Sequence, residues 1–318
     1  MPAFGALLKY IFLFTVLMIP GYIMGRRKRL MDEAMTSLAN ILTDIAMPFL
    51  VFSKLLAIDV KSLRISYILC CILLPIVIEL SMLGIACLVF RKKEDRSRYP
   101  IDRFCTFLPN VGFIGIPLAC SIFPDVPEIA LYVSLANIVS TYILLTMGIF
   151  TLTEDKRDIS VKKMFTSPVL FAIILGFLGS MLPENPVTAF AADYSVYLAN
   201  LATPLSMLVL GYNLAKLSVM KLLKDTGVYM VSLLRLIISP ILTIFVLVIT
   251  QKVLRVPVDY ELVMAMFIAM GVSNAGTAPA MAKRYGLNGE HAAAVTIGTT
   301  ILSVATIPVV YLLAECIF

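Results

Sequence analysis

The sequence predicts an all-α membrane protein of ten transmembrane helices, arranged as two inverted five-helix repeats in which helices 4 and 9 are broken. Three observations predict this fold class. Of the 318 residues, 60% are apolar and only 14% are charged, whereas about a quarter of the residues in a soluble domain are charged. Apolar windows long enough to cross a bilayer recur along the chain. Several features of the first half also return in the second half in the same order, as they do in many transporters.

The predicted spans are apolar windows of about 20 residues, the length that crosses a bilayer. The first window has one basic residue, Lys9, at its start and four, at 26–29, after it. This is the reverse of the charge order in a cleaved signal peptide, so the window is predicted to remain as a span. The ten spans lie at 6–24, 37–56, 66–90, 101–122, 129–150, 165–182, 192–215, 227–250, 261–285 and 290–315.

The basic residues predict the orientation of these spans. Cytoplasmic loops carry an excess of Lys and Arg, and most of the 26 basic residues fall in alternate loops, beginning with 26–29. Both termini are therefore predicted to be extracellular, with the protein in the cytoplasmic membrane. The net charge of +6 is explained by this orientation, because no basic stripe interleaved with aromatic residues indicates a nucleic-acid partner.

The inverted repeat is predicted from features that recur in both halves. Ala-x-Pro occurs in span 2 at 46–48 and in span 7 at 202–204. Spans 3 and 8 each hold a tyrosine and a central proline, while spans 4 and 9 hold Gly-Ile-Pro at 115–117 and Thr-Ala-Pro at 277–279. Proline is common in membrane helices, so a chance origin of these matches is the competing interpretation. Their shared order favours the repeat.

The repeat divides the chain into three units. The first five-helix repeat is predicted at 1–152, a charged cytoplasmic linker at 153–164 and the second repeat at 165–318. Because each half contains an odd number of spans, the two copies must have opposite orientations in the membrane. Inverted repeats of this kind support alternating access in transporters.

Spans 4 and 9 are each predicted to be broken. Span 4 contains PNVGFIGIPL at 109–118, and span 9 contains GVSNAGTAPA at 271–280. Proline lacks a backbone N–H and clashes with the carbonyl one turn earlier, while glycine lowers the cost of leaving helical dihedrals. Freed backbone groups are costly in hydrocarbon, so a break persists only where it faces protein or a wet cavity. Paired breaks predict a binding site near the bilayer midplane.

The broken helices suit a small organic anion. A helix N-terminus has unpaired N–H groups and a partial positive charge, and amide and hydroxyl side chains lie beside both breaks. For either span alone, a proline kink with small residues for close packing is an equally good interpretation. The pair favours a site, whose candidate substrate-binding residues are Asn110, Gly112, Gly115, Pro117, Ser273, Asn274, Thr277 and Pro279.

The string Asn110-x-Gly112-Phe113-x-Gly115-x-Pro117 resembles the fourth-span signature of the auxin efflux carrier family, whose bacterial members include permeases for small dicarboxylates. The number of spans, the outside termini, both Ala-x-Pro motifs and the broken ninth span extend the resemblance over nearly the whole chain. The resemblance implies that helices 4 and 9 cross at unwound centres. The four motif residues would form the first crossover, and Pro279 would belong to the second.

The resemblance also implies a mechanism. Helices 1, 2, 6 and 7 would form a scaffold, and helices 3–5 and 8–10 would form a mobile transport domain that works as an elevator in a homodimer. The chain lacks the long central hydrophilic loop of the plant members, so regulation through that loop is not expected. No carboxylate lies at 271–282, which argues against the sodium coupling of anion symporters that share the fold.

Three ionisable residues lie well inside the apolar runs of predicted spans, where such groups are costly and usually functional. They are Asp44, Glu79 and Arg235. Either carboxyl could carry a coupling proton, and Arg235 could attract the anion or pair with a carboxylate. A structural tie between helices is the competing interpretation for each. The lone histidine, His291, opens the last span and is interpreted as an interfacial or helix-start residue rather than a proton relay.

The function that follows is a secondary active or facilitative transporter of a mono- or dicarboxylate, auxin-like or malate/malonate-like, with the proton as the candidate coupling ion. The alternative is a membrane sensor or accessory subunit that binds an amphipathic ligand without carrying it. No GxxxxGK[ST] loop is present to couple transport to ATP. An enzyme is disfavoured because no metal pair or nucleophile–base spacing occurs. The six cysteines form no CxxC pair or Cys/His cluster, and no metal or cofactor is predicted.

Overall fold

The computed structural model describes residues 2–27, 31–59, 63–91, 97–155, 167–183, 185–216 and 225–317. Over these residues the chain forms twelve helices and no strands, which confirms the predicted all-α, multi-pass class. The helices are α1 (Pro2–Arg26), α2 (32–56), α3 (Ile65–Val89), α4 (Tyr99–Phe107), α5 (Val111–Ile122), α6 (Pro127–Thr153), α7 (Pro168–Ser180), α8 (Pro186–Ala215), α9 (Thr226–Lys252), α10 (Tyr260–Gly271), α11 (Ala278–Arg284) and α12 (Gly289–Ile317).

The helices differ in length. Within the described residues, seven are long and apolar enough to cross a bilayer, namely α1, α2, α3, α6, α8, α9 and α12. Three shorter helices, α5, α7 and α10, are also apolar. The predicted spans at 101–122 and 261–285 are each divided into two helices, α4 with α5 and α10 with α11.

Two helices begin clearly ahead of the predicted spans, and α2 starts at 32 instead of 37. Helix α8 begins at Pro186, ahead of the predicted start at 192. The Asn185 side chain accepts hydrogen bonds from the backbone N–H groups of Val187 and Thr188, and the Thr188 hydroxyl accepts one from the Asn185 N–H. This capping box fixes the start of the helix, whereas an apolar window does not register it.

Residues 156–164 of the predicted linker lie outside the described residues, as do the basic residues at 28–29, 92–93, 96, 221 and 224.

Four helices contain a π-helical turn, which begins α5 and lies inside the other three. These turns are Leu42–Ala46 in α2, Val111–Gly115 in α5, Leu144–Gly148 in α6 and Leu234–Ile238 in α9. Such turns often mark functional positions in helices. Asp44 and Arg235, two of the three predicted intramembrane charges, each lie in one of them.

The helices pack in two groups. Helix α1 packs along the second half of α8, while α2 packs against α7 and the first half of α8. The other group is built from α3, α6, α9, α10 and α12, with α10 at its centre. Every residue from Leu262 to Gly271 in α10 is buried, so its methionine-rich sequence is a packing surface within the protein.

The contact between α1 and α8 is made by two glycines. A Cβ at Gly21 would overlap the carbonyl oxygen of Leu208, and a Cβ at Gly211 would overlap the carbonyl oxygen of Met18. Small residues let membrane helices approach closely, because van der Waals packing drives their association in lipid. The two glycines therefore set the spacing of this helix pair.

We expect Gly211→Ala to force α1 and α8 apart and to lower the free energy of unfolding by about 1–3 kcal/mol, the usual cost of overpacking. The matched control is Gly84→Ala, since Gly84 lies in α3 with open space around its Cβ position. Alanine is favoured over glycine in a helix by roughly 0.5–1 kcal/mol. Denaturation of the detergent-solubilised variants measures both effects, and equal stability of the two variants would contradict the close-packing role.

Candidate functional site

The two interrupted helices meet at their breaks through backbone hydrogen bonds. The Asn110 N–H donates to the Ser273 carbonyl at 2.8 Å, and the Ala275 N–H donates to the Leu108 carbonyl at 2.9 Å. These bonds place Pro109 opposite Asn274 in an isolated antiparallel bridge. Backbone groups that neither helix can satisfy internally are therefore satisfied by the other break, as burial in an apolar medium requires.

The local sequence explains why α5 starts where it does. Asn110 leaves helical geometry, with φ −90° and ψ 55°, and its side-chain oxygen accepts the Phe113 N–H at 3.3 Å as an N-cap. Pro117 has no N–H to donate to the Phe113 carbonyl one turn earlier. That carbonyl instead accepts a hydrogen bond from the Ser206 hydroxyl of α8. The proline thus frees an acceptor that joins the break to the neighbouring helix group.

Arg235 binds the helix C-termini that lead into the two breaks. Its guanidinium donates to the carbonyls of Val272 at 3.1 Å, Met270 at 2.6 Å and Phe107 at 3.4 Å. These carbonyls lie at the C-terminal ends of α10 and α4, where unpaired acceptors and a partial negative charge accumulate. Arg235 is fully buried, so its charge stabilises the two helix ends, and all three of its nitrogens are engaged with carbonyls rather than with a carboxylate.

Glu79 is linked to the cavity beside the crossing through the hydroxyl group of one residue, Ser140. The fully buried carboxyl of Glu79 in α3 accepts a hydrogen bond from the Ser140 hydroxyl of α6 through one oxygen. Among the described residues its other oxygen, Oε2, has no hydrogen-bond partner. Ser140 also lines the cavity described below, so it connects this carboxyl to the cavity wall.

Asn274 is a structural counterpart of Asn110 with a different role. Its side chain is fully buried, donates to the Thr296 hydroxyl at 3.0 Å and accepts from the Thr299 hydroxyl. Ser273 accepts a hydrogen bond from Thr300 at 3.3 Å. The second break is therefore fastened to α12 by its side chains, and the polar groups of Asn274 are satisfied there.

Asn110 faces a cavity with one donor unused. A cavity of about 280 Å³ lies between α2, α5, α6, α7 and the second break. Asn110 is 3% exposed, and within the described part of the chain its side-chain nitrogen Nδ2 has no hydrogen-bond partner. The bond from Phe113 to its oxygen fixes the direction of the amide. A buried donor without a partner is costly, and Asn110 carries this donor in the wall of the cavity.

The predicted site residues take different positions around this crossing. Asn110, Gly112 and Thr277 line the cavity. Pro279 lines a second cavity of about 340 Å³ between α8, α11 and α12, and Gly276 borders both cavities. The remaining predicted residues, Gly115, Pro117, Ser273 and Asn274, are buried behind the walls, where they shape or fasten the backbone.

Helix α6 supplies cavity residues that the sequence interpretation did not include. Asn137, Ser140 and Thr141 all line the cavity. Their spacing of three and four residues places them on one face of a helix, and polar residues on one face of an apolar span are a usable signal for a site. A Cβ at Gly112 would lie 3.3 Å from the Asn137 side-chain oxygen, so α5 and α6 approach closely here.

The other ionisable residues lie apart from the crossing backbone. Asp44 is exposed on α2, where its carboxylate accepts the Thr43 hydroxyl at 3.1 Å and borders the first cavity. His291 is in the first turn of α12, in agreement with its interpretation as a helix-start residue. Its side chain is 1% exposed and lies between Asp102 and Asp225.

Apolar helices surround two crossed breaks and a cavity whose wall includes several polar side chains, as in a multi-pass membrane protein. A family model described as membrane transport protein matches residues 6–165 and 156–311, nearly the whole chain. The chain belongs to this family, that of the auxin efflux carriers, and is a membrane transporter rather than an enzyme. No curated protein matches the chain.

The position of Arg235 yields a stability prediction. Arg235→Lys keeps the charge, but a single ammonium on a shorter reach cannot serve three carbonyls in the fixed geometry of a guanidinium. We expect the free energy of unfolding to fall by a value on the order of 3 kcal/mol, because one or two charge-assisted hydrogen bonds are lost. Chemical denaturation in detergent micelles measures it.

The control for this change is Arg64→Lys. Arg64 pairs with Asp259 at 3.2 Å, and its side chain is 56% exposed. Exposed ion pairs contribute about 0–1 kcal/mol, so this variant should stay close to wild type. If Arg235→Lys were as mild as Arg64→Lys, Arg235 would not be holding the helix ends together.

Proposed function

We propose that this protein is a secondary transporter of a small organic anion, which binds in the cavity beside the crossing and is carried by an elevator movement. The expected substrate is a mono- or dicarboxylate, auxin-like or malate/malonate-like. The observation that carries the proposal is the unpaired, buried side-chain nitrogen of Asn110, a residue that lines a cavity of about 280 Å³. Carboxylate oxygens are acceptors and match such a donor.

The proposed topology is ten transmembrane helices in two inverted five-helix repeats, 1–152 and 165–318. In it, α4 with α5 forms helix 4, and α10 with α11 forms helix 9. Two features support this topology: each broken pair is interrupted at an asparagine, and the two interruptions pair with each other in antiparallel fashion. Equivalent positions of two inverted copies lie close together in this way when a two-fold axis passes between them.

The proposed division into a scaffold and a mobile domain follows the packing. The scaffold comprises α1, α2, α7 and α8, and the transport domain comprises α3–α6 and α9–α12. Support comes from the two packed groups and from the position of both cavities between them. The Ser206 hydrogen bond to the Phe113 carbonyl joins the two bodies, so an elevator movement would have to break it.

The charges in the cavity bear on the substrate. Because Arg235 is committed to backbone carbonyls, the first cavity offers the neutral donor of Asn110 together with the Asp44 carboxylate. The Ser140 and Thr141 hydroxyls in its wall donate to Glu79 and to the Asn137 carbonyl. A dianion beside Asp44 would be repelled. A monoanion, or a dicarboxylate bound with a proton, fits this wall better. This favours proton coupling through Asp44 or Glu79.

The orientation remains part of the proposal. With most Lys and Arg residues in cytoplasmic loops, both termini are extracellular and the protein lies in the cytoplasmic membrane. The ends of α8 and α11, which carry Lys216 and Lys283 at the second cavity, then face the cytoplasm. The homodimer implied by the resemblance is likewise proposed as the assembly.

The first functional prediction concerns Asn110. Asn110→Ala removes the unpaired donor, and we expect it to weaken binding of the transported carboxylate about ten- to a hundredfold, the worth of one hydrogen bond to a charged group. Gly276→Ala should act similarly, since its methyl would lie 3.2 Å from the Asn110 side-chain nitrogen. Uptake and counterflow of labelled mono- and dicarboxylates into proteoliposomes measure the effect.

Asn40→Ala is the control for this experiment, because Asn40 is exposed on α2 outside the cavity. Its flux should equal that of wild type. Saturable binding without any flux in wild-type protein would favour the sensor or accessory-subunit function. Unchanged flux in a folded Asn110→Ala protein would reject the site.

The second functional prediction concerns coupling. Glu79→Gln keeps the shape of the carboxyl but cannot release a proton, so we expect uptake to lose its dependence on external pH while counterflow exchange persists. Asp44→Asn is the matched comparison, because Asp44 borders the same cavity. If the pH dependence persists in Glu79→Gln and disappears in Asp44→Asn, the coupling proton belongs to Asp44.

A further inference from the structure

A buried cluster of three titratable residues lies away from the crossing. His291 lies between two carboxylates: its ring nitrogen Nε2 is 2.7 Å from Asp102 Oδ1, and Nδ1 is 3.0 Å from Asp225 Oδ2. The side chains are 1%, 9% and 12% exposed for His291, Asp102 and Asp225. Both distances are those of short, charge-assisted hydrogen bonds.

The hydrogen-bond geometry sets the number of protons in this cluster. A neutral imidazole has one N–H, and an ionised carboxylate only accepts hydrogen bonds. Two ionised carboxylates that face both ring nitrogens can be satisfied only if both nitrogens carry hydrogen. Because imidazole is far more basic than a carboxylate, the extra proton belongs on the ring. A neutral ring would leave a nitrogen lone pair directed at a carboxylate oxygen.

The three residues come from different parts of the fold. Asp102 lies in the first turn of α4, Asp225 is the N-cap of α9, and His291 lies in the first turn of α12. The other carboxylate oxygen of Asp225 accepts the Gly227 N–H at 3.0 Å. A Cβ at Gly227 would lie 3.0 Å from the imidazole Cε1, so this glycine lets α9 begin directly over the ring.

The surrounding charges are compatible with a held proton. Arg98, just before α4, lies 3.7 Å from Asp225 Oδ2 and balances the negative charge that remains after histidinium pairs with two carboxylates. On α4, Cys105 is buried one turn beyond Asp102. From α11, the Lys283 side chain approaches Gly289, and on α12 itself Glu290 is exposed beside the second cavity.

We propose that Asp102, His291 and Asp225 form a proton-binding site, separate from the crossing, in which one proton on the imidazole joins the start of α4 to the starts of α9 and α12. The proton links the first half of the chain to the second. All three helices belong to the proposed transport domain, so the site holds that body together at one end rather than locking it to the scaffold. The site itself does not depend on the proposed function.

The direction of the pH effect follows from the geometry. At low pH the ring carries both protons and makes both hydrogen bonds. As pH rises and the second proton leaves, one bond is replaced by a repulsive contact between a lone pair and a carboxylate. The stabilisation is therefore present at low pH and is lost as pH increases.

The chain offers a direct test because it contains a single histidine. The protein is purified through a tag without histidine, labelled with ¹⁵N-histidine and reconstituted in nanodiscs, so that one imidazole gives the whole NMR signal. At pH 7.5, free imidazole is about nine-tenths neutral. We expect both ring nitrogens of His291 to be protonated at this pH, and a neutral ring in folded protein would overturn the proposal.

Variants identify the partners. Asp225→Asn and Asp102→Asn should each shift the ring titration to lower pH, because each removes one carboxylate that stabilises the charged ring. Asp193→Asn is the control, since Asp193 is on α8 outside the cluster, and it should leave the titration unchanged. Folded carboxylate variants with an unaltered titration would reject the site. Should they not fold, the wild-type spectrum alone decides.

A stability measurement separates a held proton from simple packing. The difference in melting temperature between wild type and His291→Gln should be largest near pH 6 and should shrink by pH 9. Glutamine retains hydrogen-bonding capacity but does not titrate, so a difference that is independent of pH would mean that His291 only fills space. Neither measurement requires transport, so a failed flux assay leaves both results interpretable.

Discussion

The backbone pairing of the two breaks is the constraint on which the rest of the structure depends. The hydrogen bonds from Asn110 to Ser273 and from Ala275 to Leu108 satisfy groups that each helix loses by being interrupted. In hydrocarbon such groups are costly when unpaired. One break without the other would leave these groups unsatisfied, which explains why proline and small residues occur in both spans at corresponding places.

The same constraint fixes the electrostatics of the site. Two helix C-termini converge at the crossing, and Arg235 is placed where it can bond to the carbonyls of both. The Arg235 cation is thereby bound to backbone carbonyls, and the neutral donor that remains in the cavity wall is the side-chain nitrogen of Asn110. A single charge thus stabilises two helix ends at once and is not available to the cavity.

Much of the fold could be predicted from the sequence, because lipid requires long apolar helices and leaves proline and glycine as clear marks of interruption. The family and the position of both breaks followed from the same marks. The partners of the polar residues could not be predicted: His291 meets Asp102 across 189 positions of the chain, and Glu79 meets Ser140 across 61. Likewise, Asn110 and Asn274 look equivalent in sequence. The fold shows the difference, because hydroxyl groups of α12 satisfy the hydrogen-bonding groups of the Asn274 side chain.

The proposed transport domain is tied at two levels, and both ties join the two halves of the chain. At its centre the breaks pair with each other, and at one end the His291 cluster joins α4 to α9 and α12. By contrast, the contact between this body and α8 beside the break includes one hydroxyl bond, from Ser206. Movement as a unit requires strong bonds within a body and weaker bonds at its boundary. The proposed elevator movement keeps both ties intact, whereas bending at either break would separate backbone groups that have no other partner in lipid.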